Sequence, residues 1–235
     1  MSSKIGISPD EITAAITSLP PLPSPVAGED ALSAALTVMQ AVPKAASTTR
    51  VIFYRYDIGP TAQADTFQAQ VQGGDLPLHA VARELDCDLQ LIELGHGPTD
   101  ATETARACAF GMMAAEQDTA LLVVAAFGAG SDERTCDEND FFATTTPETA
   151  AIMGAMVAAA RAGIPIIAEG PQGLAAAKAL GKLHPGLTPT IFLCGIAHDV
   201  PGFHVFADAE KSDKGYAAIM LAAMLKSEFA KAQAA

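Results

Sequence analysis

An apolar run that closes on Gly-x-Gly is the feature that most limits how this chain can fold. Residues 121–126 are all apolar, and Phe127 is followed by Gly128, Ala129 and Gly130. Strands of a parallel sheet are buried on both faces and show such runs. Ligands of open α/β sheets bind at the carboxyl ends of these strands. The segment therefore predicts a parallel strand that ends at a binding site.

The rest of the chain alternates between short apolar runs and longer segments with helical spacing. Strands are predicted over residues 51–54, 89–94, 121–126, 164–168 and 190–194, and helices over 76–85, 102–116, 147–162, 173–183 and 216–226. Strands separated by helices of this length form right-handed βαβ units. The pattern predicts an α/β fold in which a parallel sheet is covered by helices on both faces.

Two helices are predicted before the first strand. Ser8 and Pro9 are a typical helix start, and apolar side chains continue at helical spacing to residue 19. A proline-rich linker follows, and a second helix is predicted over residues 30–40. We expect these helices to form a layer separate from the sheet.

Composition and charge limit the partners of the chain. Of its 235 residues, 50% are hydrophobic and only 17% charged, and the net charge is −13. Nucleic acids and anionic membranes require basic patches, so neither is an expected partner. No apolar stretch is long enough to cross a membrane, and the four cysteines form no Cys-x-x-Cys pair. We expect a soluble cytoplasmic protein with unpaired thiols and no cofactor.

Small and polar residues follow four of the predicted strands, and in a parallel sheet they meet at one edge. Glycine is common at such turns for its backbone geometry alone, so each position by itself is weak evidence. Taken together, they predict a shared pocket. The predicted substrate-binding residues are Asp57, Gly95, Gly128, Gly130, Ser131, Gly170, Gly173 and Gly195.

Two side chains near these turns are candidates for acid–base chemistry. Glu169 directly follows an apolar strand, and His198 lies in the loop after the last predicted strand. A solvent-facing carboxylate and an exposed histidine are the simpler alternatives.

The acidic run over residues 131–140 offers oxygen ligands for a divalent cation. It lacks the spacing of a known calcium loop, so a solvated loop without metal is expected.

Five segments, in order, resemble the nicotinate-nucleotide:dimethylbenzimidazole phosphoribosyltransferase family of cobalamin lower-ligand assembly. They are residues 12–23 with an LPPL turn, 73–95 with a GG turn and a helix, 121–130 with Gly-x-Gly, 147–167 with a GIPI strand, and 194–202 with a Pro-Gly loop. The resemblance implies a Rossmann-like three-layer sheet, a small helical subdomain from both termini, and a homodimer. It divides the chain into a helical segment at 1–45, joined by a C-terminal helix at 212–235, and an α/β domain at 46–211.

The sequence departs from this family where the family performs its chemistry. Ala126 stands where the family has a glutamate, and Ser131, Asp132 and Glu133 replace its Asn-Thr-Thr. The family's general base is a glutamate in a C-terminal Gly-rich motif, and here Ser212 occupies that position. Glu210 or Asp213 takes the role only after a local shift of the alignment. The scaffold is retained, and the signature catalytic groups are not.

The sequence therefore favours a shortened, divergent phosphoribosyltransferase-like protein that binds a nucleotide or an azole at the strand ends. Its most concrete activity is transfer of phosphoribosyl from nicotinate mononucleotide to a nitrogen base, with Glu169, Glu210 and His198 as catalytic candidates. A related reaction on another substrate is an alternative. Another is a non-catalytic binding or regulatory homologue, and a weaker one is metal-assisted hydrolysis at the acidic run.

Overall fold

The computed structural model describes residues 7–22, 30–42, 46–74, 76–116, 118–128, 136–196, 200–206 and 216–234. Within these ranges it contains one sheet of six parallel strands. The strands are β1 (Thr48–Asp57), β2 (Cys87–His96), β3 (Thr119–Ala126), β4 (Ile166–Glu169), β5 (Ile191–Cys194) and β6 (His204–Val205). They lie in the order β2-β1-β3-β4-β5-β6, and each neighbouring pair is parallel. The predicted α/β class with a parallel sheet is confirmed.

Nine α-helices connect and flank the strands in the described part of the chain. They are α1 (Pro9–Thr17), α2 (Ala31–Ala41), α3 (Ala62–Gly73), α4 (Leu78–Glu84), α5 (Ala101–Gly111), α6 (Phe141–Thr144), α7 (Pro147–Ala162), α8 (Gly170–Leu183) and α9 (Tyr216–Ala234). A 3₁₀ turn, Pro185–Thr190, precedes β5. No helix in these described ranges is both long and apolar enough to cross a membrane.

Local signals in the sequence explain where several helices begin and end. At α1, the Ser8 side chain accepts from the Glu11 N–H, and the Glu11 carboxylate accepts from the Ser8 N–H. This reciprocal pair is a capping box, which satisfies two N–H groups at the helix start. At α7, Thr146 caps the first turn, and Gly163 ends the helix with φ +67°. The predicted span of α7 agrees with the structure at both ends.

Other boundaries differ from the prediction for identifiable reasons. The helix predicted over residues 102–116 ends at Gly111, and the last helix continues to Ala234 rather than residue 226. Helix α3 was not predicted, because among its apolar positions only Ala64 and Val71 are buried, which gives a weak helical pattern. Strand β6 is only two residues long and has no sequence signal of its own.

Helices cover both faces of the sheet. One hydrophobic cluster joins Ile52 and Tyr54 of β1 to α1, α5, α6, α7 and α8. The other joins Val51 and Phe53 to α2, α3, α4 and α9. Alternate residues of β1 thus enter different cores, as expected for a strand buried on both faces. The predicted division into a helical segment and an α/β domain stays a prediction.

Helix α7 lies at the centre of the first core and crosses α5 at close range. Fourteen of its sixteen residues, from Pro147 to Ala160, are buried. A Cβ atom at Gly154 would lie 2.0 Å from the Cys108 carbonyl oxygen, and one at Gly111 would lie 2.0 Å from the Ala151 carbonyl oxygen. The two backbones therefore touch where each helix has a glycine.

The four cysteines are free thiols of two kinds. Cys108 and Cys194 are buried, and burial raises the pKa of both thiols well above the ordinary value. Cys87 and Cys136 are half-buried, and burial also raises the pKa of each, which slows their reaction.

We expect iodoacetamide near neutral pH to label Cys87 and Cys136 slowly, and to label Cys108 and Cys194 only after denaturant is added. Mass spectrometry of the intact protein counts the labels, and early modification of Cys108 or Cys194 would contradict this arrangement.

Candidate functional site

The order of the strands places a crevice between the carboxyl ends of β1 and β3. The chain runs from β1 outward to β2 and then returns to β3 on the other side of β1. At such a reversal the connecting segments leave in opposite directions, and ligands of open α/β sheets bind in the gap. Asp57 ends β1 at this point, and Phe127 and Gly128 follow β3.

Gly128 lies against the backbone of β1 at this crevice. A Cβ atom there would be 2.0 Å from the Tyr56 carbonyl oxygen and 2.7 Å from Oε1 of Glu148. The preceding Phe127 N–H donates to the Tyr54 carbonyl at 3.1 Å, which holds the turn on the strand. Gly128 is required here by close approach, and Glu148, fully buried in the first turn of α7, lies directly beneath it.

A cavity of about 750 Å³ opens to solvent at the neighbouring ends of β1 and β2. It is lined by these strand ends, the loop after β1 and one side of α3. Asp57 and Gly95, two of the predicted binding residues, line it together with His96. Its volume falls in the range of pockets that hold small organic ligands.

A buried arginine organises the wall of the cavity. The Arg55 guanidinium is held by Asp57, with Nε 2.7 Å and Nη2 2.6 Å from Oδ2 of that carboxylate. Nη2 also donates to Asp65, and Nη1 donates to Oε1 of Gln68. The Arg55 side chain is only 8% exposed, so this charge is compensated where water has little access.

The same network extends across the cavity to β2. The Gln68 side-chain amide donates to Oε1 of Glu93. The hydrogen bond from Arg55 lowers the pKa of Asp65, so that carboxylate stays ionised below its usual range. Four side chains from β1, α3 and β2 are thus fixed around one guanidinium.

The remaining described candidates cluster at the ends of β4 and β5. Glu169 is 8% exposed, and its Oε2 accepts from the Ala218 N–H at 2.9 Å, in the first turn of α9. Gly170 and Gly195 have φ of +77° and +67°, a region that glycine adopts readily. A Cβ at Gly195 would lie 3.2 Å from Cγ of Glu169, and one at Gly173 would lie 3.0 Å from the Ala168 carbonyl carbon. The cavity lining does not include these residues.

Four of the predicted site residues, Gly130, Ser131, His198 and Glu210, lie outside the described residues. The described part of the acidic run begins at Cys136. There Asp137 accepts from the backbone and side chain of Asn139. No group of three or more His, Cys, Asp or Glu residues within the described ranges is arranged to hold a metal ion.

The sequence prediction missed Arg55, Gln68 and Glu93 as a connected group. A signal was present in β1, where the charged Arg55 stands between Tyr54 and Tyr56, directly after the apolar residues 51–53. A charge at such a position needs a compensating partner, because an unpaired buried charge is strongly unfavourable. Glu148, an acid in the first turn of a buried helix, also had no assigned role.

Two solved structures from Thermus thermophilus resemble this chain. One is nicotinate-nucleotide-dimethylbenzimidazole phosphoribosyltransferase, with a TM-score of 0.63 and 16% identity over 94% of this chain and 95% of that chain. The other is CobT, with a TM-score of 0.66 and 15% identity over 93% of this chain and 94% of that chain. The chain has the fold of these proteins.

This likeness confirms, at the level of the fold, the resemblance drawn from the five sequence segments. It covers nearly the whole of both chains, so it includes the carboxyl edge of the sheet and not only its core. No protein-family model matches the sequence, and a search of curated protein sequences found no significant match. At this low identity the side chains at the edge must be interpreted from their own geometry.

Proposed function

We propose that this chain is a divergent phosphoribosyltransferase-like protein that binds a nucleotide or an aromatic heterocycle at the carboxyl edge of its sheet. The observation that carries the proposal is the cavity of about 750 Å³ at the carboxyl ends of β1 and β2. Open α/β sheets bind ligands at this edge of the sheet, the β1–β3 crevice adjoins the same β1 end, and the cavity is large enough for a heterocycle with part of a nucleotide. Homodimer formation and a cytoplasmic location stay predictions from the sequence.

The proposed chemistry is transfer of phosphoribosyl from nicotinate mononucleotide to a ring nitrogen. Such a transfer needs a carboxylate that takes a proton from the acceptor, and N–H groups that hold the phosphate. Glu169 is our first candidate for the carboxylate, with Glu210 second and His198 as an alternative acid–base group. Glu169 lies at the end of β4, outside the cavity lining, so this reaction requires the acceptor nitrogen to reach from the cavity along the sheet edge toward β4. The backbone at Gly128, Gly170 and Gly195 approaches this edge without side chains in the way.

A non-catalytic binding homologue is the second candidate, and two observations favour it. Ala126, at the end of β3, puts a methyl group where the resembling family has a glutamate. Glu169 is already engaged by the Ala218 N–H, so it serves at least in part to fix α9 on the sheet. A protein with these two features retains a pocket and lacks an uncommitted base among the described residues of β3 and β4.

Turnover of the parent substrates separates the two candidates. We expect incubation with nicotinate mononucleotide and dimethylbenzimidazole to give little nucleotide product by chromatography, because Ala126 and the 210–215 segment depart from the family motifs. A thermal-shift panel of nucleotides and azoles then identifies ligands, since a ligand that binds the folded state raises the melting temperature. Turnover of a hit supports the enzyme, and binding without turnover supports the non-catalytic homologue. Rapid reaction of the parent pair would show that another group replaces the missing glutamate.

Glu169→Gln tests the proposed base once a turnover is found. We expect kcat to fall on the order of a hundredfold or more, because glutamine keeps the shape and cannot take the proton. The glutamine carbonyl still accepts from the Ala218 N–H, so the melting temperature should change little. Glu103→Gln, on α5, is the matched control. Nearly full kcat in Glu169→Gln, with the loss in Glu210→Gln instead, would assign the base to the C-terminal segment.

A further inference from the structure

The hydrogen bonds around Arg55 fix which polar atoms of the cavity wall act as donors and which act as acceptors. All three guanidinium nitrogens donate to side chains within the network, to Asp57, Asp65 and Gln68. Because the Gln68 carbonyl accepts from Arg55, its amide nitrogen is turned toward Glu93 and donates there. These donors of Arg55 and Gln68 are therefore directed at protein acceptors, and the carboxylate oxygens of the network keep acceptor capacity for a ligand. Thr61, Gln72 and His96 also line the cavity and can donate, so the selection follows from the charges of the lining.

The charged side chains of the lining also favour a ligand that donates hydrogen bonds or carries positive charge. Three carboxylates, Asp57, Asp65 and Glu93, line the cavity with one guanidinium, Arg55. Glu93 is exposed and the Asp65 side chain is 57% exposed, so both are open to a ligand from solvent. The lowered pKa of Asp65 keeps it charged in mild acid. A phosphate or carboxylate entering here would meet an excess of negative charge.

We infer that this cavity selects a planar ligand that carries N–H donors or a positive charge, such as an aminated or protonated nitrogen heterocycle, and rejects an aromatic acid of the same shape. The inference rests on the proposed function only in treating the cavity as the site of the heterocycle. An anionic part of a nucleotide would have to lie outside it, toward the crevice at Gly128. The carboxylates of Asp65 and Glu93 accept from the ligand, and Arg55 and Gln68 hold them in place.

Benzamidine and benzoate test this directly, because they share a planar ring and differ in charge and hydrogen-bonding direction. We expect isothermal titration of the full chain to show benzamidine binding at least about tenfold tighter than benzoate. In Asp65→Asn/Glu93→Gln this preference should fall severalfold. The preference should be unchanged in Glu84→Gln/Asp86→Asn. This control also removes two negative charges, but from positions just before the amino end of β2.

Each outcome decides the question. The inference would be overturned by absence of benzamidine binding, by equal or tighter binding of benzoate, by an undiminished preference in Asp65→Asn/Glu93→Gln, or by loss of the preference in the Glu84→Gln/Asp86→Asn control. The last of these results would assign the preference to the overall charge of −13 rather than to the cavity. If the double cavity variant does not fold, the single Glu93→Gln change at an exposed position gives the same comparison. The measurement needs no turnover, so its failure is separate from failure of the proposed reaction.

Discussion

Gly154→Ala is expected to lower the free energy of unfolding by about 3 kcal/mol, since overpacked cores typically lose about 1–3 kcal/mol and sometimes more. The added methyl carbon would lie 2.0 Å from the Cys108 carbonyl oxygen and 2.9 Å from the Met112 nitrogen. Both atoms belong to the backbone of α5 and the residue after it, so no side-chain rotation relieves the clash. The two helices must move apart, and the core residues packed around them must shift as well.

Denaturant unfolding followed by circular dichroism measures this loss. Gly181→Ala in α8 is the matched control, because its nearest neighbour is the outer end of the Phe203 ring, at 3.2 Å. Alanine has a higher helix propensity than glycine by about 1 kcal/mol, so the control should be neutral or stabilising. An unfolding midpoint for Gly154→Ala equal to that of the native protein would show that α5 and α7 do not pack as closely as described.

Arg55→Met is expected to cost about 3–5 kcal/mol, the range seen when one member of a buried ion pair is removed. Asp57 is left with 8% of its side chain exposed and without its guanidinium partner. Gln68 also loses the group that orients its amide, so the wall of the cavity loosens. We expect a lower midpoint of unfolding in denaturant.

A second substitution distinguishes loss of the ion pair from loss of packing. Arg55→Met/Asp57→Asn removes the stranded charge and should recover part of the stability, because neutral replacement of a whole buried pair is often tolerated. Arg55→Lys keeps the charge without the planar fork and should lie between the native protein and Arg55→Met. If the double variant is no more stable than Arg55→Met, the charge on Asp57 is not the cause of the loss.

The sequence predicted the layers of the fold better than the contacts of the site. Strand β3 has a continuous apolar run and α7 has clear signals at both ends, and their predicted positions agree with the structure. The first strand was predicted over residues 51–54 with its end at Asp57, and in the structure it begins earlier, at Thr48, and ends at Asp57. Arg55 is tolerated in the strand because Asp65, ten residues later on α3, compensates it together with Asp57.

Contacts between distant segments account for what the sequence did not predict. Asp57 and Gly95 lie together in the cavity lining because parallel strands end at one edge, whereas the other described candidates lie outside this lining. The roles of Gln68 and Glu93 depend on how α3 packs beside β2, which no local pattern determines. Glu169 follows an apolar strand, as predicted, but its hydrogen bond to Ala218 joins positions 49 residues apart. Such a pairing is set by the assembled fold.

The burial of α7 along nearly its whole length has a consequence for how the molecule opens. Water reaches the amides of this helix only if α5, α8 or the sheet beneath it moves away, because each of them covers part of its surface. Local fluctuations of the exposed helix α3 need no such rearrangement. Hydrogen exchange in α7 should therefore follow global unfolding, whereas the mostly exposed α3 should exchange through smaller openings of lower free energy.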